Sequence, residues 1–221
     1  MAGLRANGFL RLFPLQAVVL FPGMPLPLNV FEPRYLQLMK ECAEANEPFG
    51  VLLLKEGVEV GPNPVEPHTI GTTAHIQEVR SIGGSRLNVV SVGGERFRVR
   101  SFIRDNPYLA AEVELIEDTT AELVDRPLID HVKDDAFAFV RAVLARQGEF
   151  VRDIDLPDEP SALSYHVAQL FQGNPRIQQK LLEHETLDRL RDEISLIKAA
   201  MDQLLREGDQ RRPGPPSFSP N

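Results

Sequence analysis

Glu32, Arg34 and Tyr35 close the stretch "LFPGMPLPLNVFEPRY", Leu20 to Tyr35. A carboxylate and a guanidinium this near each other could act as catalytic acid and electrostatic clamp, provided a pocket perturbs the carboxyl pKa. A helix start explains the same residues without chemistry. Glu32 suits the N-cap and Pro33 the first helical position, which leaves Arg34 solvated or ion-paired. Ser161, Ser164 and His166 invite a hydrolase reading, but Ser164 and His166 are two residues apart and point to different helix faces. No G-x-S-x-G elbow surrounds either serine, and Ser161 is a candidate N-cap. His68, His75, His131 and His184 are scattered, without the i,i+4 pairing of a helical metal site. Cys42 lies on an apolar helical stripe and reads as inert core. Gly83-Gly84 and Gly93-Gly94 lack the following helix of a phosphate cradle and read as turns. No catalytic residue, metal ligand or cofactor site is assigned.

Arg96, Arg98 and Arg100 alternate along one strand and would share a sheet face, opposite Phe97 and Val99. Such a stripe could grip RNA phosphates. Glu112 and Glu114 alternate likewise on the next strand, so a cross-strand charge ladder is the competing reading. The formal net charge of −8 repels nucleic acid at long range.

The elements that must carry these residues divide the chain. Up to about residue 118, β-branched runs alternate with Gly and Pro punctuation. "FGVLLLK" predicts a buried strand and "GPNPVEP" (Gly61 to Pro67) a stiff loop. "TTAHIQEVRSIGGSRLNVVSVGGERFRVRSFIRD" predicts a three-stranded meander turning at each glycine pair. After Asn106-Pro107, "YLAAEVELIE" predicts a strand with Leu109, Ala111, Val113 and Leu115 on the buried face. One helix interrupts this half, starting at Glu32-Pro33, with Leu36, Met39, Cys42 and Ala43 as its apolar stripe. From 119 to 208 the spacing becomes helical: one or two helices around Pro127, one from Ser161 to Gly173, a short one over Pro175 to Glu183, and a long one over Glu185 to Glu207. On the last helix, Leu190, Ile194 and Ile197 fall in a coiled-coil-like spacing that Glu193 and Lys198 could flank with charge across a parallel partner, but Leu196, Ala199, Ala200 and Leu205 widen the apolar arc, so its first half is expected to pack into the chain's own bundle. Residues 209–221 are too rich in Pro, Gly and Ser to pack and are expected to be disordered.

The stretch "LFPLQAVVLFPGMPLPLNVFEPRYLQLM" resembles the opening of the Lon-type N-terminal domain, and "GTTAHIQEV", "VGGERFRV" and "NPYLAAEVE" follow in the family's order. The resemblance spans about Leu12 to Leu205. It implies an α+β fold: a PUA-like β pseudo-barrel (1–118) followed by an α-helical bundle (119–208). It also implies non-enzymatic binding of unfolded or tagged polypeptides, with a protease or chaperone as downstream partner. No G-x-x-x-x-G-K-[ST] loop of an ATPase module occurs in the sequence. The expected peptide-binding surface is Phe21, Met24, Leu26, Phe31, Arg34 and Tyr35. Phe21 to Phe31 is expected to be a loop stiffened by its prolines, with Arg34 and Tyr35 at the following helix start; Met24 and Leu26 are its exposed members, Phe21 ends a strand, and Phe31 staples the helix entry. An RNA-binding module using Arg96, Arg98 and Arg100 is the alternative.

The lone cysteine and the want of a membrane-length apolar run predict a soluble, cytoplasmic chain, monomeric or weakly self-associating. Pro14 and Pro22 interrupt the apolar run after Arg5 and Arg11, which argues against an export signal.

Overall fold

The computed structural model describes residues 8–55, 66–104 and 107–210, with the side chains of 208–210 excepted. Most of the loop expected at 61–67, Asn106, and the tail from 211 onward lie outside the described residues.

Among the described residues, six strands form the front half: β1 (Phe9–Leu15), β2 (Pro25–Val30), β3 (Phe49–Leu53), β4 (Ile70–Ser81), β5 (Leu87–Ile103) and β6 (Ala110–Leu115). Their order is β2-β5-β4-β3-β1-β6, and β6 pairs again with β5, which closes the sheet into a pseudo-barrel. β1 and β3 run parallel; the other pairs are antiparallel. Leu10, Leu12, Leu52, Phe97, Val99, Ala111 and Val113 pack together as one buried cluster of this sheet. On β6, Leu115 is exposed although its alternation with Val113 placed it inside.

Two expectations fail in this half, each for a backbone reason. "PLPLNV" is a strand, not a loop. Among the described residues it is bonded only to β5, with Pro25 opposite Val92 and Pro27 opposite Val90. Proline lacks an N–H, so it fits an edge strand where that bond would point away from the sheet. The meander has two strands instead of three, because Gly93-Gly94 lies inside the continuous β5. A Cβ on Gly93 would stand 2.1 Å from the Phe21 carbonyl oxygen, so this glycine permits a close backbone approach instead of a turn. The true hairpin tip is Gly83-Gly84-Ser85, all at positive φ.

Helix α1 (Pro33–Ala45) begins at the N-cap Glu32 with Pro33 in its first turn. It buries Leu38, Met39 and Cys42 against Phe13, Leu26, Val30 and Phe49. In the back half, α2 (Arg126–Arg146), α3 (Pro160–Ala168), α4 (Pro175–Glu183) and α5 (Thr186–Gln210) form the bundle. Asp125 caps α2 by accepting from the Leu128 N–H, and Glu159, not Ser161, caps α3. Leu163, Val167, Leu190 and Ile197 meet Ile129, Val132 and Ala136 in the bundle core. The helix α5 extends to Gln210, past the point where the tail was expected to begin.

Barrel and bundle join along an apolar seam. Val19, Phe21, Leu53 and Ile70 pack on Tyr165, Ala168, Leu181 and Leu182.

Candidate functional site

The chain that leads into α1 presents only part of the surface expected of it. Phe21 has no exposed area and Leu26 is 4% exposed. Neither can offer its side chain to a partner. Phe21 lies in the connection after β1, inside the seam, and Leu26 turns inward on β2 because prolines occupy its outward neighbours. Phe31 is 62% exposed, so it is not the buried staple expected at the helix entry. Met24 is half-buried, packed against both the barrel core and the seam. Arg34 donates to Glu32 at 2.9 Å and lies 4.6 Å over the Tyr35 ring. Tyr35 rests on Phe13, ring centroids 4.4 Å apart, and burial raises its hydroxyl pKa, with the Arg34 charge opposing. Glu32 and Arg34 thus satisfy each other at the surface.

A cleft of about 440 Å³ opens on the other flank of α1. Leu36, Met39 and Ala43 line it from the helix, and Val79, Ser81, Ser85, Arg86 and Leu87 line it from the β4–β5 hairpin. The helix serves two surfaces: positions 38, 39 and 42 face the core, while 36 and 43 face the cleft, with the buried Met39 directly beneath it. The apolar stripe read from the sequence therefore merged a core face with an open one. Val79, 40% exposed, is the apolar side chain the hairpin presents to the cleft. Lys40 and Glu44 stand at the helical rim, 3.9 Å apart. Leu87, paired with Val30, joins the cleft to the end of β2, next to Phe31. A sequence signal existed in the exposed half of the hairpin, where Val79 and Ile82 interrupt a polar run.

The arginine stripe separates on folding. Arg96 is 2% exposed and donates to the carbonyl oxygens of Leu182 and His184 at 2.8 and 2.7 Å. It cannot reach a phosphate. A register shift between Thr72 and Ala74 interrupts the β4–β5 ladder beside it. Arg98 and Arg100 do remain at the surface, where both pair with Glu114, as the charge-ladder reading requires.

Arg96 belongs to a buried polar cluster that the sequence did not disclose. Arg189 donates to Leu181 O at 2.8 Å and Ser164 Oγ at 2.7 Å, and covers the Tyr165 ring at 4.1 Å. Asp118 accepts from the Thr186 N–H at 3.1 Å and lies 3.4 Å from both guanidinium groups. Burial tends to raise the Asp118 pKa, but the Thr186 hydroxyl and N–H, with Arg189 and Arg96, hold it below the usual carboxylate range. The two arginines also satisfy the last carbonyls of α4, a C-terminal cap supplied from outside that helix. Apart from the buried Arg96 Nε, the guanidinium and carboxylate groups here are engaged within the cluster, which makes it a structural clasp.

Other reactive types are likewise engaged. Burial pushes the Cys42 thiol up to about 11, which keeps it protonated and non-nucleophilic. Ser164 donates to the Ser161 carbonyl, and Ser161 Oγ meets Thr186 Oγ1 at 3.0 Å. His131 does face Asp135 one turn on, at 3.2 Å, a pairing overlooked in the sequence. Among the described residues no group of three or more such side chains could hold a metal, and no helix is long and apolar enough to cross a membrane.

Residues 10–199 match the family described as the ATP-dependent protease La (LON) substrate-binding domain. A Lon protease of Methylocella silvestris is 25% identical over 202 residues, covering 91% of this chain and 25% of the relative. Lon protease 2 of Myxococcus xanthus is 29% identical over 214 residues, covering 92% and 24%. The chain thus spans about a quarter of the length of these relatives. Among solved structures, a Lon N-terminal domain protein from Xanthomonas campestris superposes with a TM-score of 0.61 at 29% identity, covering 85% of this chain and 97% of that one. The N-terminal domain of a Mycobacterium avium complex Lon protease, 18% identical, shares the fold with a TM-score of 0.58, covering 86% and 98%. The α+β arrangement of pseudo-barrel and helical bundle is the one these relatives carry, and the chain belongs to the LON substrate-binding domain family.

Proposed function

We propose that this chain is a non-enzymatic module that binds unfolded or tagged polypeptide through the cleft between α1 and the β4–β5 hairpin, for a protease or chaperone partner in the cytoplasm. The observation that carries the reading is the cleft itself: an apolar recess of about 440 Å³, within the range of ligand sites, built on two regular elements. A preformed recess suits extended substrates, because only the substrate must be ordered on binding.

The mode of recognition follows from β2. Pro25 and Pro27 remove two donors from its outer edge, which disfavours addition of a substrate strand there. Side chains entering the cleft are the remaining route. Each buried Leu or Phe contributes roughly 1.5–3 kcal/mol, so one anchor changes affinity about ten- to hundredfold. Phe31, Arg34 and Tyr35 are proposed as a secondary rim at the start of α1, and Met24, at the opposite end of β2, as a more distant contact. RNA binding is not favoured, since Arg96 is buried and Arg98 and Arg100 face Glu114.

The test is titration of a permanently unfolded protein into the parent chain and Val79→Asp. The expected result is at least about tenfold weaker binding by the variant, with an unchanged thermal midpoint. Equal affinity would move the site elsewhere.

A further inference from the structure

The rim of the cleft is asymmetric in charge. On the helical side Lys40 has Glu44 within 3.9 Å. On the hairpin side Arg86 is exposed and makes no ion pair among the described residues, whereas its neighbour Arg80 pairs with Glu78. The Arg86 backbone is fixed by the hairpin tip: its N–H donates to Gly83 O and its carbonyl accepts from the Ile82 N–H, both at 3.2 Å. The apolar lining of Leu36, Val79 and Leu87, with Met39 beneath it, thus ends at an unpaired cation, in a chain whose net charge is −8.

We infer that the cleft selects polypeptide segments in which a large apolar residue is followed or preceded by a carboxylate, the apolar side chain filling the recess and the carboxylate meeting Arg86. This rests on the polypeptide-binding reading above and adds a substrate class to it. A guanidinium offers paired donors in a fork that matches a carboxylate, and it is less strongly hydrated than an ammonium, so the lip favours acidic flanks over neutral ones. A basic flank meets like charge at the same place. The contact is exposed, so its contribution is small beside the apolar anchor and weakens with salt.

The experiment uses short fluorescein-labelled peptides with a central Leu-Phe in a Gly/Ser background, flanked by Asp-Asp, Ser-Ser or Lys-Lys, titrated with the full chain by anisotropy. The acidic-flanked peptide is expected to bind about three- to tenfold tighter than the basic one at low salt, with the ratio shrinking at high salt. Arg86→Glu should invert the order of acidic and basic peptides and Arg86→Gln should level it, each read as the ratio of affinities within one protein. Equal binding of all peptides to the parent, or a preference that persists in Arg86→Glu, overturns the charge selection and leaves the polypeptide-binding reading standing. Failure of every peptide to bind, or peptide affinity that falls as the protein self-associates, overturns both.

Discussion

Arg96 on β5 and Arg189 on α5 donate to one shared acceptor, the His184 carbonyl oxygen, and both stand 3.4 Å from the same oxygen of Asp118. The barrel and the bundle are thereby joined at a point as well as along an apolar seam. Two cations this close tolerate each other only because Asp118 and the carbonyls of α4 lie between them. The orientation of the bundle on the barrel rests on that carboxylate.

Removing it should leave two buried guanidinium groups uncompensated. Asp118→Ala is expected to lower stability by about 3–5 kcal/mol, measured by urea unfolding. Because the folded-state pKa of Asp118 is depressed, its contribution is present above the ordinary aspartate pKa and is lost as pH falls through the folded value. Asp118→Asn should therefore flatten the acid limb of the stability profile.

Glu193 behaves in the opposite sense. It is fully buried on α5, neither carboxyl oxygen has a hydrogen-bond partner among the described residues, and burial raises its pKa well above the ordinary value, with Arg189 opposing and Asp192 reinforcing. A raised carboxyl pKa gives stability that is fully present below the unfolded value and is lost as pH rises toward the folded one. Glu193→Met should stabilise the chain by about 1–3 kcal/mol at neutral pH, since an unsatisfied buried polar group is removed. The gain should narrow in mild acid when thermal midpoints are compared across pH.

Gly93→Ala separates close approach from turn geometry. Its added methyl would meet the Phe21 carbonyl, which the seam holds in place. A loss of about 1–3 kcal/mol or more is expected. Gly83→Ala, with nothing near its Cβ but a φ of 82°, should cost only about 1 kcal/mol. Reversal of that order in denaturant unfolding would contradict the assignment of Gly93 to a continuous strand.

Phe31 and Leu26 give a paired comparison. Phe31→Ala should change stability by under about 1 kcal/mol, as an exposed residue does, whereas Leu26→Ala should cost about 2–5 kcal/mol. The sequence suggested the reverse. Hydrophobic residues between prolines look like a loop surface, because nothing local shows that Pro25 and Pro27 occupy the outward positions of an edge strand.

The same limit explains what else was and was not legible. The change from period two to helical spacing near residue 118, the Glu32-Pro33 helix start and the α4 and α5 spans were all written in local patterns. Gly93-Gly94 was misread because a glycine pair signals a turn and a close backbone approach equally well. Arg96 and Arg189 look like surface charges until folding brings distant carbonyls to them. Glu193 was likewise placed at a helix flank, since the sequence does not say which arc of α5 the other helices cover. The cleft needed two elements, α1 and the hairpin, whose contact no local pattern encodes.

The most direct test of the cleft as the polypeptide site is methyl NMR of the methionines during titration with an unfolded protein. Met24 reports on the connection before β2, the buried Met39 on the packing directly beneath the cleft, and Met201 on the helical bundle. The Met39 methyl signal is expected to shift and saturate with added polypeptide while Met201 stays fixed, and Val79→Asp should abolish the Met39 shift. A shift of Met201 or of Met24 alone, with Met39 unmoved at saturation, would contradict the assignment of polypeptide binding to the cleft.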